Sequence, residues 1–255
     1  MARQPDGPPP PPTVQRLRIR YAKRGRLRFA SHRDLARALE RALRRGQIPM
    51  AFSAGFTPHP KISYLGAAPT GAASEAEYLE IGLAERRDPE EIRAALDAAL
   101  PPDVAVLECV EAVEGCGSLA DRIDASAWRV ELPGVDLADL QPAVEKFLAS
   151  DVVTVAKRTK NGLRDIDARA AVTSASAADE AGCAILHVVV RQVTPAVRPD
   201  DVLAALAAVA DLRPPLPSRA VRAAQGRLDD TGTVADPLDP DRVARTRCQG
   251  EHAPV

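Results

Sequence analysis

Seven arginines within the first fifty residues fall into two series with different spacing. Arg16, Arg18 and Arg20 recur every second residue, whereas Arg33, Arg37, Arg41 and Arg44 recur every three or four. A guanidinium is planar, permanently charged and donates hydrogen bonds in pairs, which suits phosphate and carboxylate oxygens. A row of them neutralises a polyanion and releases its counterions. From residue 16 to residue 45 there are twelve Arg or Lys, Arg28 among them, against Asp34 and Glu40 alone. The whole chain balances 34 Lys and Arg against 35 Asp and Glu, so its basic character is local. Two histidines share the region. His32, flanked by Arg26, Arg28 and Arg33, has the chemistry of a general base toward a ribose hydroxyl. Its competing role is a hydrogen bond that fixes a turn. His59 and Lys61 end the segment Gly55-Phe56-Thr57-Pro58-His59-Pro60-Lys61, where two prolines stiffen a loop suited to recognition.

The elements that position these groups follow from apolar spacing. Leu17, Ile19 and Tyr21 alternate with the first arginine series, which is the pattern of a strand with one buried face. The second series shares a helix over 32–45 with Leu35, Leu39, Ala42 and Leu43. Ser31 is its expected N-cap, with Asp34 three residues on as the acidic partner, and Gly46 ends it. Two exposed basic faces are therefore expected, one on the open side of a sheet and one on the helical layer. The alternative pairs Arg18 or Arg20 across strands with Glu80 and leaves the helix face merely solvated and partly paired through Glu40.

Beyond this stretch, strands are expected near 48–53, with 62–65 adding to it, and at 77–83 and 104–110, with a helix from Asp88 or Pro89 to Leu100. That order is β-α-β-β-α-β. The order repeats after a small, polar, Gly-containing linker. The predicted fold class is α+β, with two tandem ferredoxin-like (βαββαβ) units and antiparallel sheets. The expected divisions are a disordered Pro-rich lead over 1–13, a first domain over 14–112, a linker over 113–125, a second domain over 126–224 and a disordered tail over 225–255. In the second domain Lys157, Arg158 and Lys160 form a basic hairpin tip suited to a nucleic-acid backbone. Asp165 and Asp167 point to one side of a strand, where bonds to Arg164 and Arg169 are a simpler use than a cation.

Several function classes are excluded by pattern. Cys109, Cys116, Cys183 and Cys248 show no paired spacing, so neither a zinc ribbon nor a disulfide framework is expected. No GxGxxG, P-loop, HExxH or nucleophile elbow occurs, and no cofactor or metal is expected. No apolar run reaches transmembrane length, and residues 1–13 lack the apolar core of a signal peptide. A cytoplasmic protein with free thiols and no membrane partner is the expectation.

The segments RLRFASHRDLARALERALRRGQIPMAFSAGFTPHPKIS and PTGAASEAEYLEIGL together resemble the DUF2344 family, also called radical SAM-linked proteins. The resemblance is dense over residues 16–83 and looser through DIDAR (165–169), RPDDVL (198–203) and SRAVR (218–222). It implies a protein encoded beside, or fused to, a radical SAM enzyme. In some members it also implies a neighbourhood with genes for an RNase E/G-type ribonuclease and ribosomal proteins. The CxxxCxxC cluster motif of the radical enzymes is absent, so the chain resembles the partner. With no aromatic pair of the RNP type, the expected ligand is structured RNA read by backbone and shape, not DNA. The sequence reading is a non-enzymatic RNA- or ribosome-linked binding module. Its alternatives are an RNA-processing or RNA-modifying enzyme using His32 and a protein–protein adaptor.

Overall fold

The computed structural model describes residues 11–159 and 162–250. In chain order the elements are β1 (Gln15–Lys23), α1 (His32–Arg45), β2 (Ile62–Leu65), β3 (Ala73–Leu83), α2 (Pro89–Ala99) and β4 (Val104–Glu111). There follow β5 (Ala125–Leu132), α3 (Leu137–Ala149), β6 (Thr154–Thr159), β7 (Gly162–Asp167), α4 (Ala168–Ala171) and β8 (Val172–Glu180). The chain then forms β9 (Cys183–Arg191), α5 (Pro199–Ala210), β10 (Arg219–Gly226) and α6 (Asp239–Gly250). The fold is mixed α+β with mostly antiparallel pairing, as expected. It divides into one unit of residues 1–121 and 237–255 and a second of residues 122–236. Most of the proline-rich lead lies outside the described residues.

In the first unit the strands lie in the order β4-β1-β3-β2, each pair antiparallel. The alternation read in β1 holds: Leu17, Ile19 and Tyr21 are buried with Leu79, Ile81 and Leu83 of β3. Leu35, Leu39 and Leu43 of α1 and Ile92 and Leu96 of α2 complete that core. Each such side chain contributes about 1.5–3 kcal/mol by leaving water, which fixes the faces of both helices. Ser31 caps α1, its Oγ accepting from the Asp34 backbone N–H at 3.2 Å. The strand expected over 48–53 does not form. Met50 bridges Leu83 and Phe52 bridges Pro60 singly, and the edge strand is β2. Pro49 and Pro60 remove the donors a continuous ladder needs there.

The tail expected to be unstructured forms α6, which belongs to the first unit. It has little apolar periodicity because polar contacts anchor much of it. Asp241 is 1% exposed and Leu238 fully buried. Arg242 donates to both carboxylate oxygens of Glu108 on β4, at 2.6 and 2.7 Å.

In the second unit the sheet order is β10-β5-β9-β8, again antiparallel, and β6 pairs with β7 as a separate ribbon. Val130, Leu132, Leu140, Phe147, Leu186 and Leu206 are among its buried side chains. No described helix is long and apolar enough to cross a membrane.

Candidate nucleic-acid interface

The two arginine series have separate environments. On β1, Arg18 is only 4% exposed, which corrects the expectation of an open arginine face. The antiparallel register sets Arg18 opposite Glu80. Its Nε donates to Glu80 Oε2 at 3.0 Å, its Nη1 to Asp241 Oδ2 at 2.7 Å, and its Nη2 to the Gly117 carbonyl at 2.7 Å. Burial disfavours the charge, but the bonds to Asp241 and Glu80 outweigh it and hold the guanidinium above its ordinary pKa. Arg16 meets Glu80 at 3.3 Å, and Arg20 donates to the Glu75 carbonyl at 2.9 Å. The element absent from the sequence reading was α6, which brings Asp241 onto this face.

On α1 the reading holds. Leu35, Leu39, Ala42 and Leu43 are buried, while Arg33, Arg37, Arg41 and Arg44 are exposed. No ion pair engages these four among the described residues. Asp34 accepts from Ser31 Oγ at 2.7 Å, and half-buried Glu40 lies close enough to Tyr64 to act on its phenol. Burial first, and Glu40 second, push Tyr64 above its ordinary pKa. Helix α1 therefore presents a row of exposed guanidinium groups that form no ion pair among the described residues.

A 3-10 turn over Gly25–Phe29 leads into α1 and is held from three sides. Asp103 accepts from the Arg26 backbone N–H at 2.8 Å, and its carbonyl accepts from Arg24 N–H at 2.8 Å. The Arg28 carbonyl accepts from Gly71 N–H at 2.8 Å, so the Pro69-Thr70-Gly71 motif has a structural use. Gly25 has φ +49°, and a Cβ there would lie 2.3 Å from an Asp103 carboxylate oxygen. This position needs glycine. The turn projects Phe29, 59% exposed, with the Arg28 guanidinium 4.7 Å from its ring centroid. The sequence suggests a short extended piece at Leu27 and Phe29; the structure forms the 3-10 turn there instead, which leaves Phe29 exposed.

His32 does not line the cavity that His59 lines. The His32 ring stands edge-on to Tyr64 at 5.4 Å, and Tyr64 donates to the Ala36 carbonyl of α1 at 3.3 Å. His59 and Lys61 instead line a cavity of about 280 Å³ with Arg16, Ser63 and Glu80. Lys61 donates to Thr13 Oγ1 at 2.9 Å. A larger cavity of about 1130 Å³ adjoins it, sharing Arg16 and Glu80 and adding Arg86, Glu111 and Arg245. Arg86 is paired with Glu111 at 2.6 Å. In the second unit Lys157 is ion-paired with Asp201 and its side chain is 13% exposed, so it is not a free phosphate contact. Arg158 is exposed, and Lys160 lies outside the described residues. Asp167 caps α4, accepting from the Arg169 and Ala170 N–H groups. Among the described residues no three His, Cys, Asp or Glu side chains are grouped to hold a metal ion.

Comparison with known proteins gives a family and no function. No curated protein matches the chain. The crystal structure of an unknown protein from Galdieria sulphuraria is 14% identical over 84% of this chain and 98% of that one, with a TM-score of 0.24. DyPB from Rhodococcus jostii RHA1 is 12% identical over 85% of this chain and 92% of that one, with a TM-score of 0.23. At such TM-scores neither likeness bears on function. Residues 16–199 match the model of the family described as an uncharacterized protein conserved in bacteria (DUF2344), and the chain belongs to that family.

Proposed function

We propose that this DUF2344 protein is a non-enzymatic binding module that holds RNA, or a ribosome-linked substrate, against α1. The observation that carries the proposal is the row Arg33, Arg37, Arg41 and Arg44, exposed and without an ion pair among the described residues. Surface guanidinium groups outside any ion pair keep their attraction for a phosphate backbone, whereas Arg16 and Arg18 of β1 already face Glu80, and Arg18 also Asp241. The radical SAM partner rests on the family resemblance, and the cytoplasmic location on the sequence reading alone.

The finer fold reading belongs to the same proposal. Counting only the sheet strands of each unit, both follow the order 4-1-3-2 with two helical crossovers. That order supports two tandem ferredoxin-like units.

The test is direct titration of the full chain with labelled RNA over a salt series. Nanomolar-to-micromolar binding that weakens steeply with salt is the expected result. Absence of RNA binding would turn the arginine row toward an acidic protein surface, the adaptor reading. Turnover of RNA that a His32→Ala change abolishes would restore the enzyme reading.

A further inference from the structure

Phe29 is a large apolar side chain left 59% exposed at the head of the arginine helix. Single exposed apolar residues are common and need no cause by themselves. This one is held rigidly and in particular company. Its turn is pinned by Asp103 at one end and by Gly71 at the other. The Arg28 guanidinium lies 4.7 Å from its ring centroid, and Arg28 Nε is buried without any hydrogen-bond partner. Arg28 has no carboxylate partner among the described residues, so the aromatic ring is what positions its charge. Four residues after Phe29, Arg33 begins the row that runs about 16 Å along α1 to Arg44.

An arginine-backed aromatic beside a phosphate-binding row has a definite ligand chemistry. The π-face of a nucleobase stacks on an aromatic ring whatever the base, while cations follow the backbone. In a duplex those faces are hidden within the stack, and the A-form major groove is too narrow for side chains to read. A fixed, protruding phenyl group therefore finds its partner only in an unpaired nucleotide. We infer that the ligand of α1 is single-stranded RNA, with one base stacked on Phe29 and the backbone following Arg33, Arg37, Arg41 and Arg44. This rests on the RNA-binding reading above and replaces the sequence-based expectation of structured RNA read by shape. It requires no aromatic pair of the RNP type, because the stacking platform is a single ring at the end of a basic track.

The test compares a labelled RNA without self-complementarity with the duplex it forms with its complement, at one salt concentration and with the full chain. The wild type is expected to prefer the single strand. Phe29→Ala should weaken single-strand binding about tenfold or more and leave duplex binding unchanged. Because the native chain has one tryptophan, Trp128, buried in the second unit, Phe29→Trp supplies an independent reporter. That variant should keep the affinity, and its added emission should be quenched by the single strand. Melting curves matching the wild type exclude misfolding, which the exposure of Phe29 makes the expected result. Equal wild-type affinity for both RNAs, with Phe29→Ala silent, overturns the inference and leaves the binding reading standing. No binding to either RNA overturns both.

Discussion

Arg18 on β1 and Arg37 on α1 belong to one unit, yet one is 4% exposed between Glu80 and Asp241 while the other projects into solvent with no carboxylate partner among the described residues. The difference comes from what each element brings opposite its side chains. A strand in an antiparallel sheet faces a fixed cross-strand neighbour, and the register of β1 and β3 makes that neighbour Glu80. A helix on the outside of the core meets mainly its own residues three and four positions away. For Arg37 those are Arg33, Asp34, Glu40 and Arg41; Asp34 accepts from Ser31, and neither acid forms an ion pair with Arg37 among the described residues. A count of arginines in the sequence joins the two series. Only topology separates an internal anchor from a surface able to bind a polyanion.

The largest expected effect breaks the buried side of this comparison. Asp241→Ala leaves the Arg18 charge buried with only Glu80 beside it, and should cost about 3–5 kcal/mol in urea unfolding of the first unit. Replacing both partners by apolar residues, Arg18→Met with Asp241→Leu, should recover most of that loss. An Asp241→Ala protein as stable as the wild type would mean that α6 does not anchor the sheet.

A second change disturbs the turn that feeds α1. Gly25→Ala forces a left-handed residue whose Cβ meets the Asp103 carboxylate, and should lower stability by about 1–2 kcal/mol. The Asp103→Ala background should absorb part of that penalty, since the clash is removed while the backbone conformation is not. A smaller loss, about 1 kcal/mol, is expected for Ser31→Ala, which removes the α1 N-cap. Thermal melts resolve both.

The smallest effect completes the contrast. Arg37→Ala should change stability by no more than about 0.5 kcal/mol, because nothing in the folded protein leans on that charge. A cost comparable to that of Asp241→Ala would show that α1 is also a structural ion-pair face.

Much of the first unit was legible in its sequence. Period-two Leu17, Ile19 and Tyr21, the helical stripe of Leu35, Leu39 and Leu43, and the Ser31 cap are local patterns, and the structure keeps them. What was not legible depended on distant partners. Asp241 lies 223 residues from Arg18 in a segment without apolar periodicity, so neither α6 nor the burial of Arg18 had a local signal. Lys157 likewise reads as a hairpin tip until Asp201 of α5 is seen beside it. The dense Pro69-Thr70-Gly71 motif is explained in part by backbone work, since Gly71 holds the carbonyl of Arg28. Phe29 was hidden for a different reason. Its exposure follows from the left-handed Gly25 and the Asp103 bonds, which turn the chain out of the strand that Leu27 and Phe29 would otherwise extend.

On the proposed function α1, and not the arginine strand, forms the polyanion surface. The most direct measurement is RNA affinity over a salt series for Arg37→Glu/Arg41→Glu beside Arg16→Glu, each first shown to melt like the wild type. The double α1 variant should bind more weakly at every salt concentration. Its log-affinity plot should be shallower by about 0.7–0.9 for each phosphate it no longer neutralises. Arg16→Glu should bind close to normally, because that guanidinium already faces Glu80. An unchanged affinity and slope for the α1 variant, or a greater weakening with Arg16→Glu, would contradict the account.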